Sequence, residues 1–157
     1  EGDVQVEVSD TKIRFTVAGV VLLSKLIEGT FPDYERVTPK NNDKEMNVDR
    51  AAFAIAVDRV STIASDRGGK AVKLSVKDGQ LELSVTNPDH GTASEELAVE
   101  FDPERFEIGF NARYLLDIVG QIRSENAVFL FNDAGSPTLV RESGDARALY
   151  VLMPMRV

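Results

Sequence analysis

The amino-acid sequence predicts an α+β fold in which two helices lie on one face of antiparallel sheets. Three observations carry this prediction: an order of strand, helix and three strands that occurs twice, two stretches with apolar residues at helical spacing, and a tight-turn signal between alternating segments. The chain has 157 residues and is 43% apolar, which is sufficient for one core with a modest appendage.

The first repeat is predicted to begin near Lys44 with a short strand. Asp49 follows this strand and is a favoured N-cap for a helix that runs to about Ser65. The apolar face of the helix is predicted from residues at helical spacing, namely Phe53, Ala56, Val57, Val60, Ile63 and Ala64. Strands are then expected at 72–76, 81–85 and 97–101, the first two joined by the hairpin turn Asp78-Gly79.

The second repeat is predicted to follow the same order. A strand at 106–110 precedes Asn111, the expected N-cap of the second helix. The apolar face of this helix is expected to consist of Leu115, Ile118, Val119 and Ile122. Strands are expected at 127–131, 138–141 and 149–153. Ahead of both repeats, three alternating segments at 4–8, 12–18 and 20–27 predict a small meander.

Composition disfavours several classes of protein. Cysteine is absent, which excludes disulfides, thiolate metal sites and cysteine nucleophiles and fits a cytoplasmic location. The single histidine, His90, lies in a predicted turn, so neither a metal nor another cofactor is expected. No stretch of about 18 or more apolar residues occurs, and no membrane helix is predicted. The net charge of −8, without a basic cluster, disfavours tight direct binding to DNA.

The acidic residues do not predict an enzyme. Aspartate and glutamate total 26, and the pair Glu95-Glu96 invites an acid–base hypothesis. Adjacent carboxylates on a strand point to opposite faces, so they cannot flank one substrate bond. Signatures of phosphate-binding loops, nucleophile elbows and metal-binding carboxylates are missing from the sequence, so no catalytic residues are predicted.

The end of the sequence is unusually apolar. Tyr150-Val-Leu-Met-Pro-Met-Arg-Val157 predicts a strand that stops at Pro154, followed by Met155 and Arg156. Methionine adapts its shape to varied apolar partners, which favours a groove wall at this end. A last strand that completes the core is the alternative, and the segment alone does not separate the two.

Two further segments join this one to form a resemblance. They are Ser24-Lys-Leu-Ile-Glu-Gly-Thr-Phe-Pro-Asp-Tyr-Glu-Arg-Val-Thr-Pro-Lys40 and Glu107-Ile-Gly-Phe-Asn-Ala-Arg-Tyr-Leu-Leu-Asp117. Together with the MPMR ending, these ordered motifs closely resemble the bacterial sliding clamp, the beta subunit of DNA polymerase III. The resemblance implies the DNA-clamp (processivity) fold. It covers the C-terminal part of a protomer that has three similar domains. Residues 1–36 then correspond to the closing strands of the middle domain and the interdomain linker, and residues 37–157 to the third domain.

The resemblance implies a pocket that captures short linear peptides carried by polymerases, the clamp loader, ligase and repair proteins. By position, its wall takes linker and C-terminal residues, and a shallower part takes residues of the second helix and a neighbouring loop. The linker residues are Pro32, Tyr34, Arg36 and Val37, the C-terminal residues are Val151, Leu152, Met153, Pro154, Met155 and Arg156, and the shallower part consists of Asn111, Tyr114 and Pro137. Ordinary burial at a domain junction fits Val37 and Val151 equally well, but it fits the arginines and Tyr114 poorly.

Two other surfaces are implied by the same resemblance. The polar faces of the helices are expected to line the hole of a ring around duplex DNA, with Arg50, Arg113 and Arg123 facing the DNA. Ile63 and Ala64 are expected at the seam where two protomers meet head to tail, although the helical spacing also permits core burial for both.

The sequence is therefore interpreted as the C-terminal region of a non-enzymatic processivity factor that forms a homodimeric ring and tethers replication and repair proteins to DNA. The alternative is a clamp-derived adaptor module that binds peptides without encircling DNA.

Overall fold

The computed structural model describes residues 2–64, 70–101 and 105–157, apart from the side chain of Ala146. The chain divides into two compact units, an N-terminal unit of Glu1–Asp33 and a C-terminal unit of Tyr34–Val157. The sequence-based division lies three residues later, after Arg36, at the end of a short 3₁₀ helix at Tyr34–Arg36.

The N-terminal unit is the predicted meander. Its strands are β1 (Gln5–Val8), β2 (Lys12–Val17) and β3 (Val20–Lys25), paired antiparallel in that order. Ala18 and Gly19 connect β2 to β3 with φ of 46° and 82°. Two successive positive φ values are typical of the type I′ turn, whose twist matches that of the flanking strands.

The C-terminal unit contains the predicted duplication. Its elements are β4 (Lys44–Asp49), α1 (Arg50–Ser61), β5 (Ala71–Lys77), β6 (Gln80–Asn87), β7 (Gly91–Ala98), β8 (Glu100–Phe101), β9 (Arg105–Asn111), α2 (Ala112–Val119), β10 (Asn126–Phe131), β11 (Thr138–Glu142) and β12 (Asp145–Leu152). The predicted hairpin turn is confirmed, because Asp78 and Gly79 have φ of 49° and 76° and Lys77 pairs with Gln80. Neither helix in the described part of the chain has the length and apolar character needed to cross a membrane.

The strands of the C-terminal unit form two antiparallel sheets that interlock the repeats. The five-stranded sheet has the order β12-β11-β10-β4-β8, and the four-stranded sheet has the order β7-β6-β5-β9. The first strand of each repeat therefore pairs within the sheet of the other repeat: Val48 of β4 lies opposite Ala127 of β10, and Ile108 of β9 lies opposite Leu74 of β5. This exchange joins residues far apart in sequence and makes the two repeats one unit.

One predicted strand was wrong in its extent. The segment expected at 97–101 is the end of β7, which begins at Gly91, and then the short strand β8. The two are separated at Val99, whose backbone N–H donates to the carbonyl oxygen of Gly79 over 2.9 Å. The part of β7 before Leu97 carries Thr92, Ser94 and the two glutamates, and this polar composition lacks the apolar alternation that identifies a half-buried strand.

Both predicted helix caps are confirmed. Asp49 Oδ1 accepts the backbone N–H of Ala52 over 2.6 Å, and Asn111 Oδ1 accepts that of Arg113 over 2.9 Å. The first helix ends at Ser61 and is shorter than predicted, and Ser65, its expected end, lies outside the described residues. The hydroxyls of Ser61 and Thr62 both donate to the carbonyl of Asp58, a back-bond that competes with the helical ladder.

The core lies between the helices and the sheets. Both predicted apolar helix faces contribute to it, and aromatic rings fill its centre, with the centroids of Phe53 and Phe129 5.2 Å apart. Ile118 is partly buried against this core, and Ile122 is buried beyond the end of α2. Because β12 and β9 each end a sheet, their outer edges are available to the segments that form the site described next.

Candidate functional site

Residues 34–38 form a compact turn around one carbonyl group. The carbonyl oxygen of Tyr34 accepts the backbone N–H groups of Val37 and Thr38 over 3.2 and 3.1 Å, and the hydroxyl of Thr38 over 2.9 Å. This arrangement leaves Tyr34 and Val37 exposed by 64% and 60%. Two large side chains are therefore held at the surface by a backbone that is internally bonded.

Asn42, which follows the turn at 34–38, is hydrogen-bonded to the five-stranded sheet. Its side-chain Nδ2 group donates to the carbonyl oxygen of Leu130 over 2.7 Å and to that of Pro137 over 2.9 Å. These carbonyls belong to the end of β10 and to the residue that precedes β11. The turn at 34–38 is thus tied, through Asn42, to the sheet that ends in β12.

An apolar cavity of about 410 Å³ opens between this turn and β12. It is lined by Tyr34, Glu35, Val37, Thr38, Lys40, Leu149 and Val151. Leu149 and Val151 alternate along β12 and point away from the core, so they form one wall. The volume lies in the range of about 300–1,000 Å³ that is typical of ligand sites.

The structure brings three of the predicted pocket residues, Tyr34, Val37 and Val151, together around this cavity. Leu152 faces the other way and is only 3% exposed, so its side chain holds β12 in the core. Arg36 is exposed within the turn, and Pro32 is an exposed residue of the N-terminal unit.

Sequence reasoning missed Leu149, which is 50% exposed in the cavity wall. The signal for it was present, because Leu149, Val151 and Met153 repeat at a period of two along the predicted strand at 149–153. Glu35, Thr38 and Lys40 were also missed. They carry no comparable pattern, and only the folded turn brings them to the cavity.

Beyond β12 the chain crosses to the second sheet. The backbone N–H of Met155 donates to the carbonyl oxygen of Gly109 on β9 over 2.8 Å, which forms an isolated antiparallel bridge. Met153 is 62% exposed, Pro154 and Met155 are partly buried, and Arg156 is exposed. The predicted C-terminal residues thus form a short segment that spans the edges of both sheets.

The residues expected in the shallower part of the peptide pocket lie beside the two ends of the segment that follows β12. Pro137 directly precedes Thr138, which pairs with Leu152, so the next position in the register places Pro137 opposite Met153. Asn111 lies two residues beyond Gly109 on β9, and its side-chain oxygen caps α2. Tyr114, in the first turn of α2, is 56% exposed.

The outward face of β9 carries an ion-pair network near this bridge. Glu107 Oε1 accepts from Arg105 Nη2 over 2.7 Å, and Glu107 Oε2 lies 2.9 Å from Lys73 Nζ. The hydrogen bond from Arg105, followed by that from Lys73, lowers the pKa of Glu107 to about 2. The carboxylate is therefore ionised throughout the neutral range and pairs with two basic side chains on this face.

The three arginines expected to face DNA have different environments. Arg113 is exposed on α2, with Nε 3.9 Å from Asp117 Oδ2, an exposed pair of little energetic weight. Arg123 is exposed just beyond α2, and its backbone N–H donates to Glu142 over 2.8 Å. Arg50 begins α1 and is partly buried, and its Nε lacks a hydrogen-bond partner within the described part of the chain.

Ile63 and Ala64 follow the end of α1 and are partly buried against the core. The carbonyl oxygen of Ile63 accepts the Nδ2 group of Asn87 over 2.7 Å, which fixes this turn to the end of β6. The sequence left open whether Ile63 and Ala64 belong to the core or to the seam. Their burial is intermediate between these alternatives, because neither residue is fully exposed or fully buried.

The remaining polar residues do not assemble a metal centre within residues 2–64, 70–101 and 105–157, where no group of three or more histidine, cysteine, aspartate or glutamate side chains is arranged to hold an ion. Glu95 and Glu96 lie on opposite faces of β7, as the strand periodicity requires. Glu95 Oε1 is 3.3 Å from Arg59 Nη1 on α1, whereas Glu96 lies on the outward face with Gln80 and Glu82.

The fold is that of the sliding clamps. The solved structure of a sliding clamp from Bartonella birtlesii bound to griselimycin superimposes with a TM-score of 0.94, is 55% identical, and covers 100% of this chain and 42% of its own. The beta sliding clamp of Caulobacter vibrioides is 50% identical over 154 residues, which are 98% of this chain and 41% of that protein. The beta sliding clamp of Pseudomonas putida is 37% identical over 157 residues, 100% of this chain and 42% of that protein.

Residues 35–156 match the family model of the DNA polymerase III beta subunit, C-terminal domain, and the chain belongs to this family. The predicted family and the DNA-clamp fold are both confirmed. The chain spans about two fifths of the length of these relatives. The alternative of an adaptor that does not encircle DNA is not favoured, because the relatives are named as sliding clamps.

Proposed function

We propose that the chain is the C-terminal region of a bacterial DNA sliding clamp, an accessory subunit that tethers polymerases and repair proteins to DNA without intrinsic catalysis. The observation that carries this proposal is the apolar cavity between the turn at 34–38 and β12, found in a chain of the beta-subunit family. We also propose a cytoplasmic location, where the bacterial chromosome is replicated.

The cavity is suited to the side chains of a short linear peptide. Tyr34, Val37, Leu149 and Val151 present apolar surface that leucine and phenylalanine anchors can bury. Lys40 at the rim and Arg36 beside it supply donors for peptide carbonyl groups. Met153 and Met155 adapt to different anchors, which fits a site that serves several partners, among them polymerases, the clamp loader and ligase.

We propose that DNA is held by encirclement. The chain has 26 acidic and 18 basic residues, so it cannot neutralise the charge of many phosphate groups. Weak contacts permit a ring to slide along the DNA. Arg113 lies in the first turn of α2 and Arg123 lies four residues beyond its end; both are exposed, and Arg50 begins the neighbouring helix. We propose that these three arginines face the hole of the ring.

The seam of the ring is proposed at Ile63, Ala64 and the adjacent strand β7. In the described residues no strand pairs with the outer edge of β7, and such an edge is a template for pairing with another chain. Asn87 joins the turn of Ile63 to the end of β6 beside this strand. The charge of β7 comes from Glu95 and Glu96, which favours a basic surface on the partner protomer.

Two variants test the cavity with a matched control. Val37 and Val20 are 60% and 65% exposed, so replacement by aspartate has a similar cost to stability at both positions. We expect Val37→Asp to weaken binding of a Gln-x-x-Leu-x-Phe peptide at least tenfold, about 1.4 kcal/mol, because a charge then faces apolar anchors. Val20→Asp lies in the N-terminal unit and should leave the affinity unchanged.

A truncation provides the second test. Removal of residues 153–157 deletes the segment beyond β12 and should abolish peptide binding measured by isothermal titration calorimetry. Equal effects of Val37→Asp and Val20→Asp would exclude this cavity as the peptide site, and unchanged affinity in the truncated chain would exclude residues 153–157 from the site.

A further inference from the structure

Gly109 lies in the interior of β9 with an ordinary backbone conformation, because it is not among the glycines with positive φ. Its glycine identity is therefore not explained by a turn. A Cβ atom at this position would lie 2.4 Å from Cγ1 and 2.8 Å from Cγ2 of Val157, and 2.7 Å from the carbonyl oxygen of Met155. A glycine inside a strand marks a place where another backbone approaches closely, and here that backbone is residues 155–157.

Two contacts fix the ends of a short segment of chain between β12 and the bridge to β9. Leu152, the last residue of β12, is 3% exposed in the core. Three residues later, the N–H of Met155 is bonded to the carbonyl of Gly109. Only Met153 and Pro154 lie between these two anchors, and proline restricts its own φ and the conformation of the residue before it.

We propose that Gly109 is a positioning residue for the peptide site. Because it has no side chain, residues 155–157 can pack against β9, and this packing holds Met153 in a fixed, exposed position. This inference rests on the proposed function. Without the contact between residues 155–157 and β9, Met153 would belong to a chain end that is anchored only at Leu152. Peptide binding would then have to order Met153. A segment that is ordered beforehand removes this cost from the binding free energy.

The test is Gly109→Ala in the 157-residue chain. The added Cβ meets the carbonyl oxygen of Met155 as well as Val157, so the backbone of the docked segment must shift. We expect faster hydrogen exchange at the Met155 amide and about fivefold weaker binding of a Gln-x-x-Leu-x-Phe peptide with alanine at the open positions, the scale of one lost hydrogen bond. The melting temperature should fall only slightly, because the displaced segment lies beyond β12 and Leu152 stays in the core.

Gly135→Ala is the matched control. Gly135 also has no positive φ, and a Cβ there would lie 3.5 Å from Asp133 Oδ1, an ordinary contact. It should change neither the exchange of the Met155 amide nor peptide affinity. A second variant, deletion of Val157, removes the side chain above Gly109 without touching the core, because Val157 is 64% exposed. It should also accelerate exchange at Met155 and weaken peptide binding.

The outcomes separate this inference from the proposed function. Faster exchange at Met155 together with weaker peptide binding supports the positioning role. Faster exchange with unchanged affinity, or weaker binding with unchanged exchange, overturns it, and the deletion of Val157 decides the matter if Gly109→Ala does not fold. If the unmodified chain binds no peptide, the proposed function fails and the positioning role fails with it, while exchange at Met155 still measures the contact with Gly109.

Discussion

The side-chain amide of Asn42 donates to the carbonyl oxygen of Pro137 over 2.9 Å, and the same nitrogen also donates to the carbonyl of Leu130. These bonds cross 95 and 88 positions of sequence. They tie the turn that carries Tyr34 and Val37 to the sheet that carries Leu149 and Val151. Asn42 does not line the cavity, but it joins the chain that follows one wall to the sheet that forms the other.

Replacement of Asn42 is expected to destabilise the C-terminal unit. In Asn42→Ala two partly buried carbonyl groups lose their donor, which should cost about 1–3 kcal/mol of unfolding free energy in urea titrations. The exposed neighbour Asn41 is the control, and Asn41→Ala should stay within about 0.5 kcal/mol. Asn42→Asp places a carboxylate against two carbonyl oxygens and should cost more than alanine. An aspartate variant as stable as the alanine variant would contradict the assigned donor role.

Ile63 is expected to tolerate a charge less well than a surface isoleucine of the same helical region. It is partly buried against the core, whereas Ile55 on α1 is 51% exposed. Ile63→Asp should cost about 1–2 kcal/mol of stability, and Ile55→Asp within about 0.5 kcal/mol. Thermal and urea unfolding check the difference. Equal, small effects would favour a role at the seam alone, and a loss of several kcal/mol would favour the core alone.

Glu107 is expected to make stability depend on acid pH. Its pKa is lowered from 4.5 to about 2 in the folded chain, chiefly by the hydrogen bond from Arg105. A lowered folded-state pKa stabilises the fold above the unfolded-state value, and this contribution disappears as the pH falls from about 4.5 through about 2. Glu107→Gln should therefore be less stable than the parent at pH 7 and approach it near pH 2. Urea titrations across this range check the convergence, with Glu82→Gln as the charge-matched control. A stability difference that does not change with pH would contradict it.

Direct binding of the isolated chain to duplex DNA is expected to be weak. The charge of −8 and the absence of a basic cluster in the sequence predict a Kd no tighter than about 10⁻⁶ M at physiological salt and a shallow dependence on salt. Fluorescence anisotropy at several salt concentrations measures both. Arg113→Ala should weaken this binding more than Arg105→Ala, because Arg105 lies on the outward face of β9, away from the helices. Tight binding at physiological salt would contradict retention by encirclement.

Asn111 is expected to serve both the helix and the peptide site, and two substitutions separate these roles. Its side-chain oxygen accepts backbone N–H groups at the start of α2. Asn111→Asp keeps this acceptor and should preserve the melting temperature, whereas Asn111→Ala should lose about 1 kcal/mol. If the amide nitrogen contacts peptide, both variants should bind it less well. Calorimetry that shows full affinity in Asn111→Asp would confine the residue to its capping role.

Features that depend on neighbouring residues were predictable from the sequence. Asp49 and Asn111 cap their helices because the acceptor and the N–H groups lie within three positions of each other. Asp78-Gly79 closes its hairpin because aspartate and glycine tolerate positive φ. The apolar helix faces and the duplicated order of elements follow from periodicity, and the family follows from three ordered motifs.

Features that join distant segments were decided only by the tertiary structure. Periodicity shows which face of a strand is apolar but not which strand lies beside it, so the pairing of β4 with β10 and of β9 with β5 could not be foreseen. The same reason hid the roles of Leu149 and Asn42, whose partners lie in other elements. Gly109 is the clearest case: its sequence neighbourhood reads as an ordinary strand, and its lack of a side chain acquires a physical reason only when residues 155–157 lie against it.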